Sequence, residues 1–293
     1  MDAQLVSTSW LAAHLDTPGL VVLDCGWYLP DSGKKGVDDF LAGHIPGARY
    51  LDLEQVSDPD SPYVNMRPSA SRFESCMRAL GIDKDSLVVV YDAGYVSARI
   101  WWMLRTFGHE GVRILDGGWR KWKAEGRPVE AGPAAPPAPG DFVASPQAGK
   151  VAVWQDALAA SRDGTATLVD ARTAERFTGA MPSGYPGVPG GHIPDALNAP
   201  WSRFMDPERG HVFVNAEQAR DILVAAGVDL DRPVITTCGS GVTAAILALM
   251  LDRIDHADHR LYDGSWHEWA QRDGLPRVSV TDSAPDTAPG AKA

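Results

Sequence analysis

The sequence is short of several features that mark whole functional classes. It has only three cysteines, Cys25, Cys76 and Cys238. That is an odd and small number for a disulfide framework, and none stands in a Cys-x-x-Cys or similar spacing that would hold zinc. Positive charge is in deficit: 27 Lys and Arg against 38 Asp and Glu give a net charge of −11. Nucleic acid and anionic membranes need clustered cations, so neither is an expected partner, although a local cationic pocket for a small anion is compatible with the balance. No apolar run is long. The longest, residues 244–251, is far short of the ~20 residues that cross a bilayer. The opening MDAQLVSTSW has no basic segment followed by an apolar stretch. No secretory signal is therefore expected, and a reducing cytoplasm is the expected location.

What is present is ordinary globular material. Hydrophobic residues make up 44% and charged residues 22% of 293, enough for two domains or one large one. The internal repeat decides between these. Leu23-Asp24 ends one apolar run and Val169-Asp170 another. Gly43-His44-Ile45-Pro46 recurs as Gly191-His192-Ile193-Pro194. The run around Asp92 matches the run around Cys238, and Asp116-Gly117-Gly118-Trp119 with Trp122 matches Asp263-Gly264-Ser265-Trp266 with Trp269. Four motifs in one order, at a spacing of about 147 residues, mean two tandem copies of one domain rather than a solenoid. The division expected is a first domain over residues 1–130, a Pro/Gly-rich extended linker over 131–141, a second domain over 142–278 and a disordered tail over 279–293.

Each copy shows short apolar, β-branched runs alternating with helical patterns. The expected strands are Leu20–Asp24, Leu87–Tyr91 and Val112–Leu115, then Thr167–Asp170, Val234–Thr237 and residues 260–262. Apolar strands separated by helices predict an α/β fold: in each domain, a parallel sheet with helices on both faces. Helices are expected over 69–80, stopped by Gly81, and over 242–252. Sites in such domains lie at the carboxyl ends of strands.

Features in both copies read as scaffold, and those in one copy as site. The Gly-His-Ile-Pro turns and the paired tryptophans recur. Cys238 does not, because Asp92 stands at its place in the first copy. It ends a strand and is followed by Gly239-Ser240-Gly241-Val242-Thr243-Ala244 and a helix. Two glycines let the loop curl so that successive N–H groups point inward as an anion nest, and the helix N-terminus adds positive potential. Both favour a nucleophilic thiolate. Cys25 aligns with Ala171 and Cys76 falls within a helix, so both read as structural.

At these residues the sequence resembles the sulfurtransferase family of tandem rhodanese domains with the active cysteine in the second copy. The first half carries WYLP, GHIPGA, SPYVNM, VVVYD and LDGGW, and the second LVDAR, ERF, GHIP, CGSGVTA and LYDGSWHEW. The loop from Cys238 to Ala244 is similar to that of 3-mercaptopyruvate sulfurtransferases. Thiosulfate-using rhodaneses carry two bulkier, basic residues where this chain has Gly239-Ser240. The resemblance implies a persulfide on Cys238, loop N–H groups of Gly239, Gly241, Val242 and Thr243 as binding elements, and Arg176 gripping the donor carboxylate. It also implies Ser240 and His44 as aids to proton transfer. Acceptors would be cyanide, a small thiol or thioredoxin. No metal or organic cofactor is implied, and a monomer is the default. The family often has a second arginine nine residues after the first, but position 185 is Tyr, which weakens the expected carboxylate clamp and keeps thiosulfate as the alternative donor. Arg172 reads as structural, and Tyr95 as facing the cleft.

Three rival readings are weaker. A phosphatase on the same fold needs Arg six residues after the cysteine, where this chain has Ala244. A thiol redox enzyme needs a nearby resolving cysteine. A non-catalytic binding module would have no use for a nucleophile in an intact loop, and the reactivity of the thiol discriminates.

Overall fold

A computed structural model describes residues 3–280. The expected tail falls almost wholly outside them. The first domain holds strands β1 (Leu5–Val6), β2 (Leu20–Asp24), β3 (Arg49–Tyr50), β4 (Leu87–Tyr91) and β5 (Val112–Leu115). The second holds β6 (Val151–Ala152), β7 (Thr167–Asp170), β8 (Leu197–Asn198), β9 (Met205–Asp206), β10 (Val212–Phe213), β11 (Val234–Thr237) and β12 (His259–Tyr262). The first sheet runs β1-β5-β4-β2-β3 and the second β6-β12-β11-β7-β8, every pair parallel. The two orders are the same topology position for position, as a duplication requires.

The central strands Leu87–Tyr91 and Val234–Thr237 are buried along nearly their whole length, which is why their sequences are continuous apolar or β-branched runs. The expected strand at 260–262 begins one residue earlier. The two-residue edge strands and the antiparallel β9–β10 pair carry too few residues to show a period in sequence. The helix expected over 69–80 is Ala70–Ala79. Ser69 caps it by accepting the Arg72 N–H, and Gly81 follows with a positive φ. The helix after Cys238 is Ala244–Arg253, starting two residues later than expected because Val242 and Thr243 still belong to the loop. Among the described residues, no helix is long and apolar enough to cross a membrane.

Residues 131–141 form no helix or strand, and they are bonded to the first domain. Gly132 N–H donates to Leu41 O and Gly140 N–H to Arg78 O. Helices Val96–Thr106 and Ala244–Arg253 pack against each other, and one apolar core runs through both domains. Each of these helices starts at the end of its domain's central strand, so the packing brings the two strand-to-helix loops to the domain boundary. The Asp of each repeated Asp-Gly motif then reaches across that boundary. Asp116 accepts the Phe213 N–H at 2.8 Å. Asp263 accepts the Arg67 N–H at 2.8 Å and pairs with the Arg99 guanidinium at 2.6 Å. These residues, read from the sequence as a turn, also join the domains.

Candidate active site

Cys238 follows the last residue of β11 and is 1% exposed. Its own N–H donates to Ser265 Oγ at 3.1 Å, and its carbonyl accepts the Trp266 N–H at 3.0 Å. The loop is thereby fastened to the helix Ser265–Trp269. Gly241 turns the chain with φ +75°, and a Cβ there would come within 2.8 Å of Asp263 O and 3.0 Å of Arg99 Nη1, so no other residue fits without displacement. Among the described residues, no acceptor is found for the N–H groups of Gly239, Ser240, Gly241, Val242 or Thr243. They form an open nest at the start of a ten-residue helix.

The first domain shows what such a nest holds. There the Asp92 carboxylate accepts N–H groups from Gly94 (2.8 Å), Val96 (3.1 Å) and Ser97 (3.2 Å). These residues correspond to Ser240, Val242 and Thr243. The first copy fills its nest with its own anion, and the β9–β10 segment covers the site with Met205, His211 and Phe213. In the second copy Cys238 stands at the Asp92 position, and among the described residues no side chain takes the loop N–H groups.

Cys238, Gly239, Ser240, Val242 and Thr243 line a cavity of about 350 Å³. Arg172, Arg176 and Tyr185 from the second domain and Trp27, Leu29 and Tyr95 from the first also line it. The Arg172 guanidinium is committed to Asp170, by contacts at 2.6 and 3.0 Å, and to Gly191 O. Arg176 follows Glu175 in the short helix Ala174–Thr178. Among the described residues it makes no ion pair, and it lines the cavity with its guanidinium against Gly184. Tyr95 packs on Trp201 with ring centroids 4.8 Å apart, and burial pushes its hydroxyl above the ordinary tyrosine range, keeping it neutral. The cavity thus combines a thiol, an open nest, one uncommitted guanidinium and an aromatic mouth. That set suits a small anion that is attacked by sulfur. Among the described residues, no group of three or more His, Cys, Asp or Glu could hold a metal ion.

The family described as rhodanese-like domain matches residues 7–125 and again 153–272. The chain belongs to the rhodanese-like domain family. It is 40% identical over 274 residues to the 3-mercaptopyruvate sulfurtransferase of Escherichia coli K12, covering 92% of this chain and 96% of that one. It is 37% identical over 277 residues to the thiosulfate sulfurtransferase of Bos taurus, covering 92% of each. The crystal structure of the E. coli 3-mercaptopyruvate sulfurtransferase SseA matches with a TM-score of 0.82 at 38% identity, covering 89% of this chain and 98% of that one.

In this rhodanese-like pair, the structure brings together Cys238, Ser240, Arg176 and the loop backbone expected from sequence. It does not bring His44 to them. The His44 ring is buried in the first domain's turn, stacked on Phe40 at 3.9 Å, with Nδ1 against Phe40 O at 2.8 Å and Nε2 3.9 Å from Glu130. His192 does the same in the second copy, stacked on Phe177 with Nδ1 against Phe177 O. Both histidines fasten the Gly-His-Ile-Pro turn, so the expected proton-transfer role of His44 is corrected to a structural one. Cys25 is buried, and burial beside Asp24 pushes its thiol well above the ordinary range, which makes it inert.

Three neighbours of the loop were missed. Asn65 Nδ2 donates to Ser240 Oγ at 2.9 Å, and the Tyr185 hydroxyl donates to the same oxygen at 2.6 Å. Arg99, fully buried, donates to Asn65 O at 2.6 Å, pairs with Asp263, and approaches Gly241 O at 3.5 Å. Arg99 and Asn65 come from the first domain, so their part in the second domain's loop has no short-range signature. Asn65 leaves one local mark, the run SPYVNM that contains it.

Proposed function

We propose that the protein is a sulfurtransferase that takes a sulfur atom from 3-mercaptopyruvate and passes it to a thiol or to cyanide through a persulfide on Cys238. The observation that carries this reading is the unfilled nest around Cys238, set against the same nest filled by Asp92 in the first copy. The names of the relatives, 3-mercaptopyruvate and thiosulfate sulfurtransferases, support the reaction class.

The Cys238 thiolate attacks the donor's sulfur. The carbon–sulfur bond breaks with its electron pair left on the pyruvate fragment as an enolate. The proton that left the donor thiol ends on that carbon. The products are the Cys238 persulfide anion and pyruvate, with charge and atoms conserved. The persulfide's negative charge enters the nest of N–H groups at Gly239, Ser240, Gly241, Val242 and Thr243, acting as an oxyanion hole does. Arg176 holds the donor carboxylate, bidentately if the fork is used fully. A nucleophilic acceptor then attacks the outer sulfur and regenerates the thiolate. Cyanide, a small thiol and thioredoxin are all chemically competent.

The second reading is thiosulfate as donor, with sulfite leaving. It is favoured by Tyr185 standing where a second arginine would complete the carboxylate clamp. Gly239 and Ser240 after the cysteine favour 3-mercaptopyruvate. We assign the first copy, residues 1–130, no catalytic role, because Asp92 is no sulfur nucleophile and its carboxylate blocks the nest. Residues 131–141 link it to the catalytic copy, 142–278. A monomer in the cytoplasm goes with one complete cavity per chain and three free thiols.

Intact-protein mass after exposure to 3-mercaptopyruvate or to thiosulfate, each followed by cyanide, tests the reading. Gain of one sulfur atom from 3-mercaptopyruvate, discharged as thiocyanate and absent in Cys238→Ser, is the expected result. Gain from thiosulfate alone would replace the donor, and gain from neither would overturn the enzyme reading.

A further inference from the structure

Ser240 is 1% exposed and its oxygen is held from both domains. The Tyr185 hydroxyl donates to it at 2.6 Å and Asn65 Nδ2 at 2.9 Å. A serine hydroxyl has one proton to give and two lone pairs to accept with. Both lone pairs are taken. Ser240 cannot accept a proton or another hydrogen bond without losing one of these partners, and the only thing it has left to offer the cavity is its own O–H.

Both donors are themselves fixed. Tyr185 is bonded at its backbone to Ser183, lies edge-on to His267 with centroids 5.1 Å apart, and packs so close over Gly239 that a Cβ there would meet its ring at 3.1 Å. Burial pushes its hydroxyl up, so it keeps the proton with which it bonds Ser240. Asn65 has φ +59°, in the left-handed region that Asn tolerates better than most residues, and its carbonyl is gripped by Arg99.

We propose that Tyr185 and Asn65 bracket Ser240 as an obligate hydrogen-bond donor to the enolate oxygen that forms when 3-mercaptopyruvate loses its sulfur, and that this bracket sets the preference for that donor over thiosulfate. The inference rests on the sulfurtransferase reading of Cys238. The discrimination follows from where charge develops. With 3-mercaptopyruvate, the electron pair of the broken carbon–sulfur bond passes into the carbonyl, and its oxygen gains charge in the transition state. With thiosulfate, the electron pair of the broken sulfur–sulfur bond goes to a sulfite that already shares its negative charge over three oxygens. A fixed donor accelerates only the reaction in which its acceptor becomes more negative. Tyr185 is thus a positioning residue that acts through Ser240.

The test uses the full chain with four variants, Ser240→Ala, Tyr185→Phe, the double variant and Asn65→Asp, assayed with both donors. Tyr185→Phe removes one oxygen and keeps the ring over Gly239, so the fold is retained. The expected results are a loss in kcat with 3-mercaptopyruvate of ~100-fold for Ser240→Ala and of ~5–20-fold for Tyr185→Phe, with KM nearly constant. The ratio of 3-mercaptopyruvate to thiosulfate turnover should fall by the same factors. In the Ser240→Ala background the Tyr185→Phe change should be silent, because its effect has nothing left to act through. Asn65→Asp, which cannot donate when ionised, should lower the ratio in the same direction. Equal loss with both donors, or an undiminished effect of Tyr185→Phe in the Ser240→Ala background, would overturn the bracket. Full activity in Ser240→Ala would remove Ser240 itself from the chemistry. Failure of Cys238 to take up sulfur from either donor would instead overturn the reading on which the inference rests.

Discussion

Arg176→Ala isolates the one cation of the cavity that makes no ion pair among the described residues. Arg172, four residues earlier, spends its guanidinium on Asp170 and on Gly191 O, and Tyr185 is neutral and bonded to Ser240. On the proposed reading, a donor carboxylate entering the cavity has, among the described residues, only Arg176 for an uncommitted opposite charge. Two unit charges 4 Å apart in an environment of effective dielectric 20 attract by about 4 kcal/mol before either ion is stripped of water. The net worth of a hydrogen bond to a charged group is ~1.5–3 kcal/mol. Losing it should lower kcat/KM for 3-mercaptopyruvate by roughly 10–150-fold. The carboxylate is gripped in the ground state as much as in the transition state, so most of the loss should appear in KM. Arg176→Lys keeps the charge but not the fork and should fall between. The assay is the initial rate of pyruvate formation, repeated with the methyl ester of the donor, for which wild type and Arg176→Ala should differ little. A kcat/KM within twofold of wild type for the free acid, or an equal loss for acid and ester, would refute the argument.

Two further predictions concern stability. Asp24 is buried without the arginine that its counterpart Asp170 has two residues on, since Gly26 stands there, and desolvation raises its carboxyl from 3.8 to about 6. Well below pH 3.8 the group is neutral folded and unfolded; as pH rises from 3.8 through about 6 the unfolded chain ionises freely while the folded state must ionise a buried carboxyl, so stability is lost by an amount on the order of 3 kcal/mol at neutral pH. Asp24→Asn should therefore raise the urea midpoint at pH 7.5 and leave it nearly level with wild type at about pH 3, below the unfolded pKa; equal midpoints at pH 7.5 would refute this. Arg99→Met strands the Asp263 carboxylate at the domain boundary and should destabilise by ~3–5 kcal/mol, or roughly 6–20 °C in thermal midpoint. Adding Asp263→Asn should restore part of that loss, and strict additivity of the two changes would exclude the pair as a coupled unit.

The duplication, the two parallel sheets, and the glycine-rich loop and arginine of the candidate site were legible because each leaves a local mark. Buried parallel strands force continuous apolar runs. A strand-to-helix turn that exposes its N–H groups forces glycines, and Gly241 is pinned by φ +75°. The difference between the copies at one position, Asp92 against Cys238, marked which nest was open. The edge strands were not legible, because two residues carry no period. The place of His44 was not legible, because a histidine in a repeated turn looks the same whether it faces a cavity or a phenylalanine. Its ring was placed by packing on Phe40, which sequence spacing does not report.

The sequence by itself determined the chemistry available, namely a lone thiol in a glycine-rich loop, an arginine and no clustered cations. Tertiary structure alone decided the company these groups keep. Arg99 is 142 residues from Gly241 and Asn65 is 175 from Ser240, yet all four meet where two helices pack. Hydrogen bonds of that span arise only once a common core has fixed the two domains against each other. The replacement of an expected arginine by Tyr185 changed meaning there as well: what read as a lost charge is, in the folded chain, a hydroxyl aimed at Ser240.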